Sequence, residues 1–182
     1  MSAGDTRLPA GAPRSDKPST QVFHLEHLRQ LRGSEQVAAI CYRVRKSGIE
    51  FLLVQTSGGR WIFPKGSAEP GLTHAQAAAL EAFEEAGVHG RIEEKSFARY
   101  VRPQRRSEPF AVETVVNVHL CEVLWLDPPP EANRNPTWFS VEKAKRRLQE
   151  DRKADFGSAL VEVMERAVSR IQRTHSVASP RN

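Results

Sequence analysis

The sequence predicts an α/β fold in which a mixed, partly antiparallel sheet lies between helices. Three observations predict it. Runs rich in β-branched and aromatic residues stand before a strongly punctuated helix at 73–87. Further β-type runs follow that helix. Two helical segments close the chain, the last carrying an apolar stripe. The order strands, helix, strands, helix is that of a layered α/β domain.

Taken in order, residues 1–20 are rich in Pro, Gly and Ser and read as a flexible tail. Phe23, Leu25, Leu28 and Leu31 stand among basic residues and predict a short strand-then-helix cover over 21–32. Residues 36–44 (QVAAICYRV) and 49–56 (IEFLLVQT) are β-rich. Arg45-Lys46-Ser47-Gly48 between them is a hairpin signal. Ser57-Gly58-Gly59 turns the chain into a short strand, Trp61-Ile62-Phe63, and Pro64 ends it because proline cannot donate to a ladder. Pro70 and Gly71 keep the next segment non-helical. Thr73 then caps a helix, Gln76 completes a capping box, and Gly87 is the natural stop. Residues 91–102 alternate as one strand, 103–109 read as a loop, and 111–126 form the longest β-type run. Asp127-Pro128-Pro129-Pro130 ends that run. Residues 137–139 make a brief strand, and Ser140 caps a helix over 141–149. Asp155 begins a last helix over about 156–173. Its stripe of Leu160, Val163, Met164, Ala167, Val168 and Ile171 predicts core packing. From Ser176 the chain reads as a polar tail. One domain over 21–175, between tails at 1–20 and 176–182, is the expected organisation.

Composition is globular, 39% apolar and 27% charged. No apolar run approaches the ~20 residues that span a bilayer, and the N-terminus shows no apolar signal core. A cytoplasmic protein without a membrane partner is therefore expected. Cys41 and Cys121 lie in apolar strand-like segments and read as buried, reduced thiols. No Cys/His spacing suggests zinc. The net charge of +5 and pI of about 9.6 favour polyanionic ligands. Nucleic acid is not an expected partner, because no DNA- or RNA-binding motif is present. A homodimer is left open.

On a 3.6-residue wheel, Ala79, Ala82, Phe83 and Ala86 gather on one side of the capped helix, with Leu80 at its edge. Glu81, Glu84 and Glu85 gather on the opposite side. Such runs are usually a solvated face. Here they also crowd a helix C-terminus, where partial negative charge disfavours carboxylates. Repulsion and dipole together cost a few tenths of a kcal/mol up to about 1 kcal/mol per misplaced charge. A divalent cation would relieve both, and oxygen-only ligands select a hard ion such as Mg²⁺ or Mn²⁺.

Together these residues, Gly66 to Val88, resemble the Nudix box, Gly-x5-Glu-x7-Arg-Glu-U-x-Glu-Glu-x-Gly-U, where U is a bulky apolar residue. Gly66, Glu81, Glu84, Glu85, Gly87 and Val88 fall on their positions. Leu72 stands where the family has its first Glu, Leu80 stands where it has Arg, and Ala82 is a weak fit to the first U. The lead-in Trp61-Ile62-Phe63-Pro64-Lys65-Gly66 is similar to that of Nudix subgroups acting on diphosphoinositol polyphosphates and dinucleoside polyphosphates. The resemblance covers 36–172 loosely and 61–88 tightly, and implies a Nudix-type α/β/α sandwich. An arginine at position 80 could pair with Glu84. Leucine cannot, so the glutamates are expected to depend more on metal for charge balance. Leu72 and Leu80 are expected to pack together where an ion pair would otherwise sit.

The resemblance implies a metal-dependent hydrolase. Water attacks one phosphorus of a pyrophosphate in a nucleoside diphosphate linked to another group, or in a polyphosphorylated substrate. Glu81, Glu84, Glu85 and the Gly66 carbonyl are the implied Mg²⁺ (or Mn²⁺) ligands. Glu85 is the first choice of general base, with Glu84 as the second catalytic carboxylate. Lys65, then Arg60, Arg102, Arg105 and Arg106, are the expected phosphate-binding cations. Arg105 and Arg106 read equally well as a solvated loop tip. Lys143, Lys145, Arg146 and Arg147 read as a solvated helix face, and His74 and His119 as structural. Diphosphoinositol or dinucleoside polyphosphates are the favoured substrates. Pro103, 15 residues past Val88, has a spacing associated with ADP-ribose hydrolases, which keeps an ADP-ribose or nucleotide-sugar pyrophosphatase as an alternative. Leu72 and Leu80 keep another, a catalytically weak domain that binds phosphometabolites.

Overall fold

The computed structural model describes residues 35–102 and 114–178. The N-terminal tail, the cover at 21–32, Pro103, Arg105 and Arg106 lie outside the described residues. The elements are β1 (Glu35–Arg45), β2 (Gly48–Gln55), β3 (Trp61–Ile62), β4 (Lys65–Ser67), α1 (His74–Ala86), β5 (Val88–Ile92), β6 (Ala98–Arg102), β7 (Thr114–Leu126), β8 (Thr137–Ser140), α2 (Val141–Gln149) and α3 (Ala154–Ala178).

β1 is the hub of the sheet. One edge pairs in parallel with β7, from Glu35↔Val115 to Tyr42↔Glu122. The other edge is shared: β4 pairs with Gln36–Ala38 and β2 with Cys41–Arg45, both antiparallel. At the fork between them Ala39 N–H donates to the Pro64 carbonyl at 3.0 Å. β7 divides its far edge in the same way, taking β6 beside Thr114–Val118 and β5 beside Cys121–Leu126. β2 does so with β8 and β3. The result is the mixed sheet that the strand pattern predicts.

Every residue from Val37 to Tyr42 is buried. Consecutive buried residues on a strand mean that both sheet faces are covered. α1 packs against β1, β4, β5 and β7. α2 packs on β2, β3 and β8, and α3 on β6 and α2. In α3, Leu160, Val163, Met164, Ala167 and Ile171 are buried, and Val168 packs against them, as its stripe predicts. Cys41 and Cys121 are both free, buried and in register across β1–β7. No helix among the described residues is long and apolar enough to cross a membrane.

Four sequence expectations change. Residues 91–102 are two strands, not one. Gly87 returns the chain directly into β5, and the polar stretch Glu93–Ser96 separates β5 from β6. Pro64 does not end strand pairing for good, because Lys65–Ser67 adds the short strand β4 to β1. α3 starts at Ala154 and runs to Ala178, so the stretch read as a polar tail from Ser176 begins as helix. Ser140 sits at the α2 N-cap, yet its side chain makes no capping hydrogen bond.

Candidate active site

α1 is built as its sequence predicts. Thr73 is extended (φ −67°, ψ 160°). Its Oγ1 accepts from Gln76 N–H at 3.2 Å, while Gln76 Oε1 accepts from Thr73 N–H at 2.9 Å. Gly87 closes the helix in the left-handed region (φ 66°), its N–H donating to the Phe83 carbonyl at 2.7 Å. Only glycine fits, because a Cβ there would lie 1.8 Å from the Asp127 carbonyl oxygen.

The helix is rotated from the face expected from its wheel. Ala75, Ala78, Ala82, Glu85 and Ala86 are buried, whereas Ala79 and Phe83 are only half-buried. Glu85, 3% exposed, therefore lies on the packed side rather than across the helix from it. Ala77, Ala78, Ala82 and Ala86 belong to the core cluster, and the Glu85 carboxylate is buried with them. There Oε2 accepts the Lys65 N–H at 3.1 Å, and Oε1 pairs with Arg134 Nη2 at 2.8 Å. Burial raises the affinity of Glu85 for a proton, and this outweighs the opposing pull of Arg134 and the Lys65 N–H.

Glu81, one turn earlier, presses on the backbone of the β4 strand. A Cβ on Gly66 would lie 1.7 Å from Glu81 Oε1 and 2.0 Å from its carboxyl carbon, so glycine provides the seat for this carboxylate. Burial first, and then the charges of Glu85, Glu84 and Glu131, push the Glu81 carboxyl up to about 7. Glu84 is half-buried, and its backbone carbonyl accepts from Glu131 N–H at 2.9 Å.

Of the expected cations, Lys65 lies beside Glu85. Burial lowers its proton affinity, with Glu85 acting in the opposite sense. Lys65, Arg60 and Arg102 line one cavity of about 460 Å³ with Arg152, Lys153 and Phe156. No motif or spacing in the sequence marks Arg152 or Lys153 for this cavity. Arg102 also donates to Gln36 Oε1 at 3.4 Å. The basic face of α2 is tied up elsewhere: Lys145 pairs with Glu142 and Glu165, and Arg147 with Glu150. His74 faces Glu35 at 3.5 Å. His119 is buried in β7, with Nδ1 3.0 Å from the Glu93 carbonyl.

Two expectations concern charge. Leu72 and Leu80 are 40% and 37% exposed, so whatever contact they make leaves both partly in solvent. The greater dependence of the glutamates on metal, expected from Leu80, is offset at Glu85, where Arg134 of the β7–β8 loop supplies the positive charge. Nothing in EANRNP marked this arginine. Asn133 (φ 67°) and Asn135 (φ 48°) on either side of it adopt left-handed turns, which asparagine tolerates.

The donor set is all oxygen and fits a hard divalent cation. Glu81 is seated on Gly66, and the charges of Glu85 and Glu84 act on its carboxyl. Among the described residues no three carboxylate, imidazole or thiol groups meet in one ligand cluster. Glu85 is instead held by Arg134 and Lys65 N–H.

Comparison with known proteins shows the family. The NUDIX domain profile matches residues 34–160. The chain is 33% identical over 117 residues to diphosphoinositol polyphosphate phosphohydrolase 3-beta of Bos taurus, covering 63% of this chain and 69% of that one. It is 32% identical over 117 residues to diphosphoinositol polyphosphate phosphohydrolase 2 of Rattus norvegicus, covering 63% of each. Among solved structures, a C. elegans Ap4A hydrolase binary complex superposes with a TM-score of 0.61 at 22% identity, covering 77% of this chain and 98% of that one. The NUDIX domain of Shewanella oneidensis NrtR, complexed with ADP ribose, gives 0.57 at 18%, covering 76% and 88%. At these identities the structural likenesses show the fold alone. The profile spans most of the chain, which therefore belongs to the NUDIX family and is a Nudix-type pyrophosphohydrolase.

Proposed function

We propose that the chain hydrolyses a pyrophosphate bond in a highly phosphorylated small molecule, a diphosphoinositol polyphosphate or a dinucleoside polyphosphate, using Mg²⁺ or Mn²⁺. The observation that carries this reading is the juxtaposition of two carboxylates, Glu81 and Glu85, with a cationic cavity. Glu81 and Glu85 flank the Lys65–Gly66 strand. Lys65 also lines the cavity of about 460 Å³ with Arg60, Arg102, Arg152 and Lys153. Several cations around one cavity suit a ligand with many phosphates better than one with a single diphosphate. The names of the curated relatives point to the same substrate class.

Glu81, Glu84, Glu85 and the Gly66 carbonyl would hold the cation. When bound, it supplies Lewis-acid neutralisation of phosphoryl charge and a more acidic water. The residues of this chain do the rest. Lys65, Arg60 and Arg102 bind and orient the phosphate chain, aided by Arg105 and Arg106. Glu85 receives the proton of the attacking water, with Glu84 beside it. Burial makes Glu85 a stronger base than an ordinary carboxylate, and the Lys65 N–H fixes its orientation. A weakly catalytic binding module is the second reading. It rests on Leu72 and Leu80, which leave two charged positions of the box apolar and exposed.

The test is phosphate and nucleotide release from a panel of diphosphoinositol polyphosphates, dinucleoside polyphosphates, ADP-ribose and nucleoside triphosphates, with Mg²⁺ or Mn²⁺. Turnover is expected on one of the first two classes, with a loss of about 10²-fold or more in Glu85→Gln. Binding of those compounds without turnover, unchanged by Glu85→Gln, would establish the binding module instead.

A further inference from the structure

The loop between β7 and β8 is fastened to the site at several points. Glu131 N–H donates to the Glu84 carbonyl at 2.9 Å, and Gln55 N–H to the Arg134 carbonyl at 2.6 Å. Asn135 Nδ2 donates to Gln55 Oε1 at 3.1 Å. From this anchored backbone the Arg134 guanidinium bridges two carboxylates, Nη2 to Glu85 Oε1 at 2.8 Å and Nε to Glu131 Oε2 at 2.7 Å.

We propose that Arg134 is a built-in counter-ion that competes with the divalent cation for Glu85, so that the cation enters by taking Glu85 Oε1 from the guanidinium. This inference rests on the reading of Glu81, Glu84 and Glu85 as metal ligands. Glu85 is almost fully buried, and a buried carboxylate stays ionised only with a cationic partner and hydrogen-bond donors around it. α1 cannot provide one, since its last turn holds no basic residue and position 80 is leucine. Arg134 fills that need from a different element. A guanidinium and a divalent ion cannot share the same oxygen without bringing like charges into contact. Displacement leaves no orphan, because Arg134 keeps Glu131 through Nε. The forked geometry suits arginine and not lysine, which offers a point charge instead of parallel donors.

The test is calorimetric titration of Mg²⁺ into the full chain without substrate, for wild type, Arg134→Gln, Arg134→Lys and Arg102→Gln. Arg134→Gln is expected to bind Mg²⁺ with a Kd about tenfold lower, a gain of about 1.4 kcal/mol. Its Tm without Mg²⁺ falls at the same time, because Glu85 loses its partner. A merely structural role would lower both stability and metal affinity. Arg134→Lys should fall between the two, and it decides the matter if Arg134→Gln does not fold, since its Kd must then lie below that of wild type. Arg102→Gln removes a nearby charge that does not touch Glu85, and should shift the Kd less than about twofold. Equal or weaker Mg²⁺ binding in Arg134→Gln, with wild type binding normally, overturns the counter-ion role and leaves the metal site standing. The same tightening in Arg102→Gln also overturns it, since the effect would then be net charge alone. Mg²⁺ binding in none of the proteins overturns the metal-site reading and this inference together.

Discussion

Replacing Gly66 by alanine puts a methyl group where the Glu81 carboxylate lies. The new Cβ would stand 1.7 Å from Glu81 Oε1 and 2.4 Å from Oε2. An ordinary contact of about 3.5 Å requires the carboxylate to retreat by roughly 2 Å. That retreat is cheap for the fold, because the obstructing atoms are the far end of a flexible side chain. A rotamer change of this kind costs of order 0.5–1.5 kcal/mol, or a Tm loss of about 2–5 °C for a domain of this size. The same movement is expensive for the chemistry, because a misplacement of about 1 Å can cost 10²-fold in rate. Gly66→Ala should therefore melt within about 5 °C of wild type and lose at least about 10²-fold in turnover. Gly87→Ala provides the contrast. Its Cβ meets backbone, the Asp127 carbonyl at 1.8 Å, at a left-handed φ of 66°, so it should lose about 3 kcal/mol of stability. The assays are thermal melting and substrate turnover on the same preparations. Near-wild-type turnover in Gly66→Ala, or a Tm loss matching that of Gly87→Ala, would refute the claim that Gly66 is the seat of the Glu81 carboxylate.

Two further outcomes follow from the same site. Glu81 has its carboxyl raised from 4.5 to about 7, so its ionised form is disfavoured by folding; stability should fall as pH rises from about 4.5 to 7, and the penalty should be complete above 7. The full shift converts to about 3 kcal/mol, which partial exposure reduces to about 1–2 kcal/mol; Glu81→Gln should gain that amount in urea unfolding at pH 8 without divalent cations and nothing at pH 4. Thr73→Ala removes one half of the capping box and should cost about 1 kcal/mol by the same method, with the Michaelis constant unchanged, since Thr73 belongs to the far end of α1 from Glu85.

Local signals carried well into the structure. The caps at Thr73, Gln76 and Gly87 placed α1 to the residue, because each works through hydrogen bonds to its own helix. The hairpin over β1 and β2 and the stripe of α3 were equally legible. What depended on another part of the chain was not. The rotation of α1 was hidden because a hydrophobicity wheel turns glutamates outward, whereas here Glu85 is buried with the alanines. The break between β5 and β6 was hidden because the polar stretch Glu93–Ser96 holds no glycine or proline to mark where the pairing stops. β4 was hidden behind Pro64, which ends one pairing and whose carbonyl begins another. Arg134 was hidden by distance, 49 positions from Glu85 in a loop whose composition suggested only a turn.

The parallel pairing of β1 with β7 joins Glu35 to Val115, positions separated by 80 residues. Everything between them, including α1, β4 and the glutamates, lies inside the loop which that pairing closes. Contacts of such long range are slow to form. The capped helix and the β1–β2 hairpin can form from local contacts alone. On the ribosome, then, the first half of the domain emerges with one edge of its central strand bare until β7 has been synthesised. During that interval β1 offers Val37 to Ile40, all buried in the finished protein, to any strand that comes near. Mutations that slow the arrival of β7 should therefore lower the yield of folded chain while leaving the specific activity of the survivors unchanged.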